Sequence, residues 1–161
     1  MSTGISTSHQ AAIELASRWG SAPPPADAAE IQNLLLVYAL YSDAGRVEDL
    51  ASLFTDDATW DGRELDYGVA EGPMAIAERV AGHFRADAPM MHLPGPGLLI
   101  SDSADEAQSL CWCLATRWND GVPMPLIYFS YQDELRRGAD GRWRFRRRYL
   151  RRAAPRPAPA G

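Results

Sequence analysis

The hydrophobic pattern of this chain changes period near residue 90, and that change limits what it can fold into more than any other feature. Upstream, apolar residues recur at helical spacing. Ile31, Leu34, Leu35, Tyr38 and Leu40 or Tyr41 mark a helix that opens at Asp27 as N-cap, runs to about Asp43 and closes before Gly45. A short helix over Val47 to Leu53 follows, then a Thr55-Asp56-Asp57 turn and a short strand at Ala58-Thr59-Trp60. Gly62 to Gly72 reads as an irregular polar connection, and Pro73 opens a third helix carrying Met74, Ile76, Ala77, Val80 and Phe84. Downstream the period is two. Met90 to Ser101 is a strand broken by Pro94-Gly95-Pro96-Gly97. Ala107 to Trp118, Met124 to Leu135 and Trp143 to Leu150 are strands separated by the turns Asn119-Asp120-Gly121 and Gly138 to Gly141.

Helices first and a meander afterwards argue for an α+β domain with helices packed on one face of an antiparallel sheet. The turns between the late strands are too short for parallel crossovers. The 161 residues suit one domain. Residues 1–26 read as a flexible segment with a short helix over Gln10 to Trp19, stopped by Pro23-Pro24-Pro25. Residues 27–152 are the packed domain, and the Ala/Pro-rich 153–161 is a disordered tail.

Composition removes several classes of function. All sixteen basic residues are arginine, so Schiff-base and lysine-nucleophile chemistry are excluded. A net charge of −5 argues against a nucleic-acid partner. Cys111 and Cys113, two apart in a strand, point to one face and read as small buried residues; no metal site is implied by their spacing or by the three scattered histidines. No glycine-rich phosphate loop is present, and no cofactor is implied. The N-terminus lacks the pattern of a secretory signal and no stretch reaches membrane-span length, so no membrane partner and a cytoplasmic location are expected.

The run from Ile31 to Asp43, with Tyr38 five residues before Asp43, leads into Leu53-Phe54-Thr55-Asp56-Asp57-Ala58. With Gly72-Pro73 before the third helix and the closing Gly141-Arg142-Trp143-Arg144-Phe145, it resembles the SnoaL-like branch of the nuclear transport factor 2 superfamily. The resemblance implies a cone-shaped curved antiparallel sheet with three helices packed on its concave face, and a homodimer formed through the outer sheet face. Dehydratase and dehydrochlorinase members use an aspartate that ends helix one and a histidine that opens the strand after helix three. Carried over, these are Asp43 and His92. Tyr38 falls where a bile-acid dehydratase places a tyrosine, and Arg148 near an inward arginine of the last strand. The second histidine of scytalone dehydratase has no match in Ala107 to Trp118, and Pro96 stands where the family often has asparagine.

The chemistry of these residue types agrees with that implication. Histidine exchanges protons near neutral pH, and a carboxylate on one ring nitrogen sets the tautomer of the other. Tyrosine donates a hydrogen bond to a carbonyl or a leaving hydroxyl, and a buried arginine stabilises an anion. The expected activity is a cofactor-independent lyase of the dehydratase type acting on a hydrophobic cyclic small molecule. The alternatives are a cyclase or isomerase using the same base, or a non-catalytic ligand-binding or assembly module. Phe54, Trp60, Trp112, Tyr128 and Phe129 are the expected pocket walls, although Tyr128 and Phe129 cannot both face inward. The same residues also admit a structural reading: His92 as a hydrogen-bonded core or loop histidine, Asp43 as a solvated residue before Gly45, and Tyr38 as part of the apolar stripe. His83 reads as surface and His9 as part of the leading segment. Which arginine between Arg144 and Arg152 faces inward stays open, because a bulge would shift the register.

Overall fold

A computed structural model describes residues 7–82, 89–119 and 121–153; His83, Phe84, Asp120, the tail from residue 154 and the side chain of His9 lie outside the described residues. The helices are α1 (Thr7–Ala16), α2 (Pro25–Asp43), α3 (Val47–Ala51) and α4 (Pro73–Ala81). The strands are β1 (Phe54–Asp61), β2 (Val69–Glu71), β3 (Met90–Pro94), β4 (Leu98–Ser101), β5 (Glu106–Asn119), β6 (Val122–Arg137) and β7 (Trp143–Arg152). Together they make one curved, unclosed sheet in the order β2-β1-β7-β6-β5-β3, with β4 also paired to β5. Pairing is antiparallel except between β1 and β7. Among the described residues no helix is long and apolar enough to cross a membrane.

Helix α2 is the element that builds the site. Pro25 occupies its first turn, where the missing N–H costs nothing. Asp27, expected at the cap, instead lies inside that turn, 2.6 Å from Arg137. Ile31, Leu34, Leu35, Tyr38 and Ser42 recur every three or four residues and face the sheet. The helix stops at Asp43 because Gly45 turns the chain with φ +63°, a region that favours glycine. Its Gln32 side chain bonds both backbone groups of Gly97, at 2.8 and 3.1 Å. That amide ties the Pro-Gly-Pro-Gly break between β3 and β4 to the helix.

Thr55, Asp56 and Asp57 do not form the expected turn. They lie within β1, whose pairing with β7 shifts register between Phe54 and Thr59, so the polar residues sit in an irregular stretch of strand. The connection over 62–72 contains β2 and one 3-10 turn, Arg63–Leu65. In the leading segment, α1 lies slightly earlier than its sequence suggests. Just after it, Arg18 pairs with Asp102 and the Ser101 N–H donates to the Ser21 carbonyl.

The inner face of β5 presents Ala107, Ser109, Cys111, Cys113 and Ala115, all buried. On β7, Trp143 and Phe145 point inward. A register shift opposite Glu134 and Leu135 then turns Arg148 and Leu150 inward. Arg148 has no exposed surface. Its Nε and Nη2 donate to Asp133 at 2.7 and 2.9 Å, and Ser109 donates to the same carboxylate at 2.8 Å. The guanidinium lies 4.0 Å from the ring centres of Tyr38 and Tyr131, and 3.9 Å from that of Phe145. Planar stacking of this kind suits arginine better than lysine.

This pair dictates a stability pattern. Asp133→Ala leaves a buried cation without its anion and should cost about 3–5 kcal/mol. The double variant Asp133→Leu/Arg148→Met removes both charges and should cost clearly less. Urea unfolding followed by tryptophan fluorescence measures both, and a single-variant loss below about 0.5 kcal/mol would contradict the pair's burial.

Candidate active site

The end of α2 meets the start of β3, and this junction joins the two residues that the sequence places 49 positions apart. Asp43 uses both carboxylate oxygens on one residue. Oδ2 accepts the His92 backbone N–H at 2.8 Å, and Oδ1 faces His92 Nδ1 at 2.6 Å. The first bond fixes the strand against the helix, and the second fixes the ring. With the Nδ1 proton directed at the Asp43 carboxyl, Nε2 keeps its lone pair; this tautomer is assigned from the hydrogen-bond pattern. Both side chains are mostly buried, at 15% exposure for His92 and 19% for Asp43. The imidazole edge meets the Phe129 ring at 6.4 Å between centres.

His92, Tyr38, Ser42, Trp60, Phe129 and Tyr131 help to line one apolar pocket. Its cavity is about 50 Å³, set within some 500 Å³ of free space that reaches the open mouth. The Trp60 indole N–H donates to the Tyr38 hydroxyl at 3.2 Å, so the tyrosine's own proton is available to another acceptor. Burial raises the Tyr38 hydroxyl above the usual phenol range, although Arg148 pulls the other way. Tyr38 is therefore a neutral donor near pH 7. Burial likewise pushes Tyr131 well up.

Three of the expected walls are displaced from the pocket. Trp112 points away, because it alternates with the inward Cys111 and Cys113; it stacks on Tyr128 at 5.6 Å on the outer face. Tyr128 is 54% exposed, and Phe129 is the inward member of that pair. Phe54 is buried one layer below, against Phe145 at 5.4 Å and Tyr38 at 6.1 Å. Arg148 is the inward arginine of the run, yet it does not line the cavity. It lies behind Tyr38 and Tyr131, closed by Asp133. Burial works against its charge, and Asp133 more than offsets that, so it remains ionised.

Sequence reasoning missed Asp133 and Ser109, which hold the cation, and Tyr131, which lies beside it. Their signal was present: Asp133 shares the period-two face of β6 with Phe129, Tyr131 and Leu135, where a carboxylate needs a partner.

Comparison with known proteins agrees with this architecture. The SnoaL-like domain family matches residues 25–149. No curated protein matches the chain. An NTF2-like protein with a cystatin-like fold from Novosphingobium aromaticivorans superposes with a TM-score of 0.72 at 22% identity, over 97% of this chain and 95% of its own. ActVI-ORFA from Streptomyces coelicolor gives 0.68 at 22% identity, over 76% of this chain and 93% of its own. A variant of Rv3472, a protein of unknown function from Mycobacterium tuberculosis, gives 0.67 at 25% identity, covering 91% and 75%.

The two thiols below the pocket carry a pH prediction. Burial pushes Cys111 up to about 11 and Cys113 up to about 12, from an ordinary 9.0. The folded chain then keeps protons that the unfolded chain releases, so this contribution to stability is whole below pH 9 and is lost as pH rises toward 11 and 12. Cys111→Ala/Cys113→Ala should show a shallower alkaline fall in urea midpoint than the wild type. Native protein at pH 8 should also resist a thiol-specific disulfide reagent until it is unfolded. Rapid labelling of both cysteines in native buffer would count against their burial.

Proposed function

The chain belongs to the SnoaL-like family, whose domain occurs in polyketide cyclases and related enzymes, and on that premise we propose that it is a cofactor-independent lyase of the dehydratase type. The observation that carries this reading is His92, held by both oxygens of Asp43, with its second ring nitrogen available to an apolar pocket. A base needs a lone pair toward the substrate and a partner that stabilises the cation formed when it accepts a proton. Asp43 meets the second need without contacting the substrate.

In the proposed reaction His92 Nε2 takes a proton from carbon next to a carbonyl. The electron pair moves into the enolate, and then forms the new C=C bond as hydroxide leaves the adjacent carbon. Tyr38 donates its proton to that departing oxygen, so water is released. The surrounding apolar walls strengthen both hydrogen bonds by excluding solvent. Arg148 acts on the reaction only through the aromatic floor, since Tyr38 and Tyr131 stand between it and the cavity. Proton abstraction at the same nitrogen also serves a cyclase or an isomerase. The cavity volume means that a cyclic substrate enters only as flexible walls such as Met90 shift.

A panel of hydroxylated cyclic ketones tests the assignment. His92→Ala should lower turnover by about 10²- to 10⁴-fold, and Asp43→Asn should lower kcat with a smaller effect on KM. Turnover unchanged in His92→Ala would rule the base out.

We further propose that the protein pairs with a second copy through the outer face of the sheet. Met91 at 42%, Leu93 at 50% and Tyr128 at 54% exposure leave an apolar area there, next to Trp112. Burying such an area is the usual reason for its presence on a surface. Light scattering should give the mass of two chains for the wild type and of one for Leu93→Glu. A monomeric wild type at micromolar concentration would remove the proposal.

A further inference from the structure

Arg117 stands on the inner face of β5, one step beyond the pocket. Ala115, two residues earlier, pairs with His92 and lines the cavity. Arg117 itself pairs with Met90 on β3 and with Met124 on β6. Residues directly opposite in a ladder share a face, and Met90 also lines the cavity. The arginine stem therefore leaves the sheet on the pocket side. Its Cα is roughly 7 Å along the strand from that of Ala115, within the length of its own side chain.

The chemistry of this position is unusual within the molecule. Other arginines around the sheet pair with carboxylates: Arg148 with Asp133, though its Nη1 has no hydrogen-bond partner among the described residues, Arg151 with Glu64, Arg137 with Asp27 and Arg63 with Asp61. Arg117 Nε is buried, and among the described residues it has no hydrogen-bond partner. Among the described residues its inner-face neighbours include Met90, Met124 and Val122; the last two are 50% and 56% exposed. A guanidinium donor shielded from water and lacking a protein acceptor keeps its binding capacity for another anion.

We propose that Arg117 is a specificity-determining residue that binds a carboxylate of the ligand, so that the substrate class is a cyclic or aromatic carboxylic acid. The ring body lies in the cavity against Phe129 and His92, and the carboxylate lies at the mouth, where Arg117 meets it through a planar, paired hydrogen bond. The neighbouring methionines flex to accept the ring. This inference rests on the reading of the pocket as a substrate site. It needs no assumption about proton transfer.

Calorimetric titration of the full chain with 1-naphthoate and 1-naphthamide tests it, because the two share a shape and differ in charge. The wild type should bind the acid at least about tenfold more tightly than the amide. Arg117→Gln should lose that preference with amide affinity unchanged, and Arg117→Lys should recover part of it. His92→Gln should keep it, which separates a failed anion site from a failed base. A wild type that binds neither compound, or that shows no preference, overturns the proposal, as does a preference that survives in Arg117→Gln. Circular dichroism of the variants confirms that the fold is intact.

Discussion

The domain is organised around one charge held out of water. Arg148 is enclosed by three aromatic rings, and Asp133 and Ser109 complete its surroundings. An unpaired guanidinium in that position would be too costly to keep. The geometry must therefore bring β6, β7 and the middle of α2 to fixed separations. Once Tyr38 lies over the cation, its hydroxyl is directed toward Trp60 and the pocket. The ion pair thus shapes the floor of the cavity, though it does not line the cavity itself.

The second constraint works at the opposite wall. A carboxylate in the last turn of a helix is disfavoured by the helix dipole, by about 0.3–1 kcal/mol when exposed. Asp43 offsets that by accepting two hydrogen bonds from one residue. One bond, from the His92 backbone, fixes the carboxylate against the strand, and the other fixes the ring against the carboxylate. The imidazole is thus held in one orientation by the fold itself. The amide of Gln32 does similar work one turn before Leu35, where it holds the glycine break that lets β3 and β4 diverge.

Much of the fold was legible because period and turn chemistry are local. The switch from helical spacing to alternation marked the α+β order, and Gly45, Pro73 and the Pro-Gly-Pro-Gly break marked element ends. The two faces of Ala107 to Trp118 were also legible, since cysteines and alanines alternate there with tryptophan and leucine. The walls were read less well. Alternation separates Trp112 from Cys111 and Cys113, and only burial tells which set faces the core. Thr55 to Asp57 looked like a turn because acidic residues rarely sit in regular strand; the register shift in β1 accommodates them.

The arginine run shows where sequence stops and tertiary structure begins. Counting by twos from Trp143 and Phe145 would send Arg147 inward. The register shift between β6 and β7 sends Arg148 instead, and Asp133 on the neighbouring strand decides the outcome by supplying the matching charge. The sequence alone determined most of the elements and their order, because those depend on near neighbours and on residue chemistry. Only the tertiary structure decided which face is buried and which arginine sits beneath the floor. Those choices depend on bulges and on partners many residues away, whose energies appear only when the strands are already paired.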